Sequence, residues 1–208
     1  FWGYLDYDLE HTDYLVTWAC DPLSSNRQVP NTIHKMHRLL ERGTVVAIDP
    51  RMSITAAKAH EWLPIKPGED GALACAFAHV LLTEGLWYKE FVGDLVDGIN
   101  RFTAGQTVDE STFREVYTHG LVKWWNLELK DRTPEWAAHV TGVPREQILR
   151  VARGMGKFAP RVAIWYGPNM QPRGTYSALA MHALNGLLGA TDNEGGVFTQ
   201  PSVPSTSY

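Results

Sequence analysis

The 208-residue sequence predicts an α/β fold, a doubly wound, mostly parallel sheet with helices on both faces. Three observations predict it. Short, continuously apolar, β-branched runs such as Thr44 to Ile48 suit strands covered on both faces. Longer segments with apolar residues at helical spacing lie between those runs. Polar or glycine-containing loops follow the runs, at the strand ends where ligands of open α/β sheets bind.

Composition sets limits. With 44% hydrophobic residues the chain buries one good core, so one domain is expected. A net charge of -4 without a Lys/Arg run argues against nucleic acid or an anionic membrane as the main partner. No apolar run approaches the roughly 18 residues of a membrane span, and the start does not resemble a signal peptide. Phe1-Trp2-Gly3-Tyr4-Leu5 opens on aromatic residues without an initiating Met, as expected of a fragment of a longer chain. Eight Trp are many for this length, and several are expected to pack against parts outside this chain. Two cysteines, Cys20 and Cys75, exclude a disulfide framework or a cysteine-ligated cluster within this chain, and the compartment stays open.

Asp13 to Ala19 is the first predicted strand, followed by the loop Cys20-Asp21-Pro22-Leu23-Ser24-Ser25-Asn26 and a helix ended near Arg42 by Gly43. With Thr44 to Ile48 this makes one βαβ unit. The loop lacks Gly-x-Gly-x-x-Gly and Pro22 removes an amide, which disfavours an ordinary nicotinamide site. Ser24, Ser25 and Asn26 suit phosphate binding and helix capping equally well. Asp49 falls at the carboxyl end of the next strand, where an acid accepts both hydroxyl protons of a ribose. Pro50 then stops the ladder. His34 and His37 stand three apart without a third ligand and read as surface histidines.

Leu63 to Lys66 is a further short strand candidate. Pro67-Gly68 turns it into a helix with Leu73, Ala76, Phe77, Val80 and Leu81 on one face, beside which Cys75 reads as a small buried hydrophobe. Asp70 has two readings. As an N-cap it contributes roughly 0.5 to 2 kcal/mol. As a carboxylate it has two acceptor oxygens for the two adjacent donors of guanine. The pattern alone favours the cap.

From Val92 to Arg132 the periodicity weakens, which predicts an irregular excursion from the sheet. Thr133-Pro134-Glu135 starts a helix with a hydroxyl cap, a proline in the first turn and an acid at the positive end. Pro144 opens another, with Ile148, Val151, Ala152 and Met155 on one face. Arg161 to Tyr166 is a buried strand candidate feeding Gly167-Pro168-Asn169-Met170-Gln171-Pro172-Arg173-Gly174. The helix from Thr175 to about Leu188 carries many small residues, so it packs close to a sheet or a cofactor, and Asp192 to Gly196 ends it. Beyond it, a Pro-, Ser- and Thr-rich tail has no core pattern and is expected to be mobile.

Asp49-Pro50-Arg51, Pro67-Gly68-Glu69-Asp70-Gly71-Ala72-Leu73 and Glu84-Gly85-Leu86-Trp87-Tyr88-Lys89-Glu90-Phe91 together resemble, in order and spacing, the molybdopterin oxidoreductases of the dimethyl sulfoxide reductase family. Thr133-Pro134-Glu135-Trp136-Ala137, Thr141-Gly142-Val143-Pro144 and Asn193-Glu194-Gly195-Gly196 extend the likeness over nearly the whole chain.

The resemblance implies one of that family's Rossmann-like domains, at residues 1–196, with residues 197–208 starting a connection to the next domain. It implies a role within an enzyme's catalytic subunit in anaerobic respiration, binding the guanine end of a bis-molybdopterin guanine dinucleotide that carries Mo or W. Carried over by position, Ala19, Cys20, Asp21, Pro22, Ser24, Ser25 and Asn26 approach the diphosphate. Asp49, Pro50, Arg51, Met52 and Ser53 approach the ribose and its surroundings. Gly68, Glu69 and Asp70 approach the guanine, which reverses the odds on Asp70. Gly167 and Gln171 approach the pterin. Asp21 stands where the family commonly has Asn. No residue matches the family's metal ligand or iron-sulfur cysteines, which lie upstream of such a domain, so no catalytic residue and no metal ligand is assigned here. The implied partners are the rest of the catalytic chain and an iron-sulfur electron-transfer subunit, with neither nucleic acid nor direct membrane insertion.

A cofactor-free structural relative, as in a respiratory complex I subunit, would lose Asp49, Arg51 and Asp70 together, and all three are present. Trp136, Leu184-Asn185 and the Asp192 turn look similar to the branch reducing sulfur oxyanions and arsenate, while hydratase and transhydroxylase relatives share much of this pattern.

Overall fold

The computed structural model describes residues 5–26, 28–167 and 174–199. Strands β1 (Leu5–Tyr7) and β2 (Tyr14–Trp18), helix α1 (Val29–Arg42), strand β3 (Thr44–Ile48), helix α2 (Ile54–Lys58) and strand β4 (Glu61–Leu63) come first. Helices α3 (Asp70–Thr83) and α4 (Lys89–Val92), strands β5 (Gly93–Leu95) and β6 (Phe113–Glu115) and helices α5 (Leu121–Leu127), α6 (Pro134–Thr141) and α7 (Arg145–Phe158) follow. Strand β7 (Val162–Tyr166), helix α8 (Gly174–Leu187) and strand β8 (Val197–Thr199) come last.

The central sheet has the order β4-β3-β2-β7, and every pairing in it is parallel. Its strands are the predicted ones, with one shift. The last strand before α3 is Glu61–Leu63 rather than Leu63 to Lys66, because Pro64 has no N–H to give to a ladder. Trp62 instead anchors the strand by donating its indole N–H to the Asp49 carbonyl at 2.8 Å.

Strand alternation sorts the core. Val16, Trp18, Val46, Ile48, Leu63 and Ile164 face α3, α7 and α8, whereas Leu15, Val45 and Ala163 face Met36 and Leu39 of α1. Helices thus cover both faces. α7 buries Ile148, Val151, Ala152 and Met155, as its spacing predicts. Thr133 caps α6 by accepting the Trp136 amide, with Pro134 in the first turn. Gly43 follows α1 in an extended conformation rather than a left-handed one; glycine is needed there because a Cβ would lie 2.7 Å from the Asp13 carbonyl oxygen.

Between α4 and α6 the chain is mostly irregular, with β5 and β6 paired antiparallel. It is nevertheless packed, since Phe102, Phe113, Trp125 and Leu129 are buried in one cluster with Phe77 and Leu81 of α3. β1 and β8 pair antiparallel, so Val197 to Thr199 of the predicted mobile tail lie in a strand, while residues 200–208 fall outside the described part. On the side of β7 away from β2, Asn185 of α8 accepts the Ile164 N–H at 3.0 Å and donates to the Ile164 carbonyl at 3.2 Å. Among the described residues no helix is long and apolar enough to cross a membrane.

Candidate functional site

The carboxyl edge of the sheet is level. Leu63, Ile48, Trp18 and Tyr166 form its last rung, because Ile48 pairs with Leu63 and Trp18 pairs with both Ile48 and Tyr166. Asp49, Ala19 and Gly167 are the next residues of their strands. At two interstrand spacings, Asp49 and Gly167 stand about 10 Å apart with Ala19 between them. The strand order reverses at β2, since β3 and β4 lie on one side of it and β7 on the other. The Ala19 loop and Gly167 flank that crevice, the ligand position of doubly wound sheets.

Ala19 has a positive φ of 49°, which turns the chain off the strand at once. Gly167 lies hard against it: a Cβ there would stand 2.2 Å from the Ala19 carbonyl oxygen, and the Gly167 N–H donates to the Trp18 carbonyl at 2.8 Å. Cys20 is turned inward, donating its S–H to the Trp165 carbonyl at 3.2 Å, and burial pushes its thiol up to about 12.

Asp21 is buried, and its carboxylate is occupied. One oxygen accepts the Thr55 amide at 3.0 Å and the Thr55 hydroxyl at 2.6 Å, and the other accepts the Ser24 hydroxyl. Burial opposes its charge, but these hydrogen bonds prevail and hold its carboxyl below the ordinary value. Asp21 therefore ties the first loop to the start of α2, where Ser53 caps the helix by accepting the Ala56 amide. Pro22 is buried beneath, and Ser24 and Ser25 are exposed. Asn26 donates to the Thr32 hydroxyl at 2.6 Å, and α1 begins at Val29 without a side-chain cap. None of Ser24, Ser25 and Asn26 caps α1: Ser24 bonds Asp21, Asn26 bonds Thr32, and Ser25 is exposed before the helix.

Asp49 accepts the Arg51 amide through Oδ1 at 2.8 Å, which bends the chain around Pro50 and leaves Oδ2 for a further donor. Arg51 and Met52 are exposed. Gly68 has a positive φ of 93° and Glu69 occupies the N-cap position of α3 without a side-chain cap bond. Asp70 is the first residue of the helix, buried, and its Oδ1 accepts the Trp18 indole N–H at 2.9 Å. The carboxylate is fixed from the last rung of the sheet, a role neither of its two readings foresaw. The available signal was Trp18 itself, whose indole N–H needs an acceptor once its strand is buried. A second pair missed from sequence is Tyr166 with His182, hydroxyl to Nε2, at the end of β7.

The structure thus brings Ala19, Cys20, Asp49 and Gly167 to one edge and reaches Asp70 through Trp18. Gln171 lies outside the described residues. Of the predicted residues that are described, Gly68 alone lines the neighbouring cleft of about 720 Å³ between α8 and α5–α6. Among the described residues, no group of three or more His, Cys, Asp and Glu could hold a metal.

A family model described as molybdopterin oxidoreductase matches residues 4–200. Over 208 residues the chain is 64% identical to the arsenate respiratory reductase molybdopterin-containing subunit ArrA of Chrysiogenes arsenatis, covering all of this chain and 25% of that one. It is 48% identical over 205 residues to the subunit of the same name from Shewanella sp. strain ANA-3, covering 98% and 24%. Among solved structures, acetylene hydratase from Pelobacter acetylenicus matches with a TM-score of 0.73 at 21% identity, covering 94% of this chain and 24% of that one. The chain therefore spans about a quarter of the length of the relatives it matches.

Proposed function

Because the chain belongs to the molybdopterin oxidoreductase family, we propose that it is one domain of a catalytic subunit and holds the guanine end of a bis-molybdopterin guanine dinucleotide carrying Mo or W. The observation that carries this reading is the shared rung: Asp49, Ala19 and Gly167 each take the next step beyond it, at a switch point of the strand order.

The residues fit the group. The bare backbone at Gly167 lets the end of β7 close directly against the early turn at Ala19, which gives the crevice a floor of main chain. Asp49 offers Oδ2 to ribose hydroxyls, and Ser25 offers an exposed hydroxyl to phosphate oxygens, the Ser24 hydroxyl being spent on Asp21. Asp70, oriented by Trp18, offers its carboxylate to the adjacent donors of guanine. The first loop keeps its shape because Asp21 fastens it to Thr55. When bound, the cofactor supplies two-electron chemistry at its metal, and the residues here bind and orient its nucleotide end. Residues 1–196 are the Rossmann-like domain in this reading, and residues 197–208 begin a connection to the next.

Arsenate is the proposed acceptor, on the strength of two similar proteins with that name at 64% and 48% identity. The 21% identity to the hydratase supports the fold alone. Iron-sulfur ligands are assigned to the upstream part of the full-length chain, and an iron-sulfur subunit is the proposed electron partner. The test is metal and nucleotide analysis of the full-length protein, with a panel of oxyanion acceptors. Molybdenum or tungsten with guanine nucleotide released on acid hydrolysis, and turnover with arsenate, is the expected result. A preparation that turns over without either metal, or that releases no guanine nucleotide, overturns the reading.

A further inference from the structure

Helix α8 carries no Asp, Glu, Lys or Arg from Gly174 to Leu187, yet part of its surface is open: Tyr176 is 75% exposed and Leu179 46%. The other long outer helices behave differently. α1 turns His34, His37 and Arg38 to solvent, and α7 sends Arg150 and Arg153 to Glu61 and Glu84. An uncharged helix that turns Tyr176 and Leu179 outward suits a covered position better than an open one.

The open face of α8 forms one wall of a trough. One end is the cleft of about 720 Å³, where Tyr176, Leu179 and Ala183 face Trp124 and Trp136. The other end is a cleft of about 440 Å³ in which Ala183 and Trp124 recur and Tyr117 joins. The two clefts meet at Trp124 and Ala183, which line both. Among the described residues the charged side chains lining the trough are Glu128 and Arg132, which bond each other at 2.8 Å, and Arg132 lies 4.6 Å over the Trp136 ring. Its described lining therefore offers aromatic and aliphatic surface with the Glu128 and Arg132 charges paired.

We propose that this trough is the seat of another part of the same catalytic polypeptide, an apolar segment from the three quarters of the parent that this chain does not include. The proposal rests on the reading of the chain as one domain of a longer subunit. Two arguments select that occupant. Similar proteins are about four times as long, so ample chain exists to cover the face. Permanent interfaces are the apolar ones, whereas encounters with a redox partner are small and polar.

The experiment uses the full-length catalytic chain, purified without a partner subunit, in Tyr176→Cys and Leu179→Cys variants. Maleimide labelling of each introduced thiol is followed by peptide mass spectrometry and compared with its own rate after unfolding in urea. Slowing of at least about tenfold is expected at both positions, independent of protein concentration and cofactor loading. Labelling near the unfolded rate overturns the proposal. So does protection that appears only on adding the electron-transfer subunit, on raising the concentration, or on loading the cofactor. Cofactor content measured on the same samples reports on the functional reading separately: a loaded protein with fast labelling refutes the docking alone, and an empty one with slow labelling refutes the cofactor site alone.

Discussion

Asp70 is where a structural and a binding role are most sharply separable, because Trp18 and the proposed guanine make different demands on it. Its Oδ1 takes a buried indole N–H at 2.9 Å. Asp70→Asn keeps an oxygen for that bond and loses a charge in the first helical turn, worth about 0.3 to 1 kcal/mol. In a chain of this length or longer that lowers the thermal midpoint by no more than about 4 °C. Facing guanine, however, the amide sets a donor against a donor. That mismatch costs about 1 to 3 kcal/mol, or about fivefold to more than a hundredfold in affinity. Asp70→Ala removes the acceptor altogether and strands the Trp18 N–H, so it costs a further 1 to 3 kcal/mol or so in stability. The assay is cofactor content beside thermal midpoint for the full-length protein with each substitution. The expected signature is a near-native midpoint with lost cofactor for Asn, and loss of both for Ala. Full cofactor retention in Asp70→Asn, or loss of cofactor strictly in step with stability across the pair, would refute the reasoning.

Four further outcomes are expected. Gly167→Ala drives a Cβ to 2.2 Å from the Ala19 carbonyl and should cost about 1 to 3 kcal/mol together with cofactor content; an unchanged midpoint would show that the two loops do not meet. Asp21 has a lowered carboxyl in the folded state, so it contributes stability above the unfolded value near 3.9, lost as pH falls through the lower folded one. Asp21→Asn should therefore cost about 1 to 2 kcal/mol near neutrality, with the gap closing below about pH 4, and a pH-independent gap contradicts this. Asn185→Leu leaves both backbone groups of Ile164 unpaired and should cost about 2 to 5 kcal/mol, read as a shifted denaturation midpoint. Burial pushes Cys20 up to about 12 and Cys75 up to about 11, so iodoacetamide at pH 8 should modify both far more slowly than an ordinary thiol near 8.5; rapid stoichiometric alkylation of either would count against their placement.

The strands were legible because a sheet covered on both faces writes itself as continuous apolar runs, and Thr44 to Ile48 is read without residue-level help. The helix faces of α6 and α7 were equally plain from Thr133, Pro134 and the Ile148 to Met155 spacing. Where the chain turns on tertiary partners, local pattern fell short. Leu63 to Lys66 looked like a strand because its apolar residues outweighed Pro64, but the ladder depends on amides. Asp70 looked like a cap because its position suits one, while its bond goes to a tryptophan 52 residues earlier. Asp21 stood in a loop that looked open, and Thr55, 34 residues on, engages its carboxylate. Those partners meet only once strand order is set, which no short window contains.

Asn185 has a consequence beyond the stability of β7. A parallel sheet ends in two strand edges, and an open edge is a template for pairing with another copy of the chain. One edge here is β4, three residues long and cut off by Pro64. The other is β7, five residues long and apolar, the more dangerous of the two. There a single amide side chain occupies the N–H and C=O of Ile164 that an incoming strand would need. Resistance to edge-to-edge polymerisation thus hangs on brevity at one side of the sheet and on one asparagine at the other. During synthesis, until α8 docks and delivers that amide, β7 is the segment most exposed to pairing with the wrong chain.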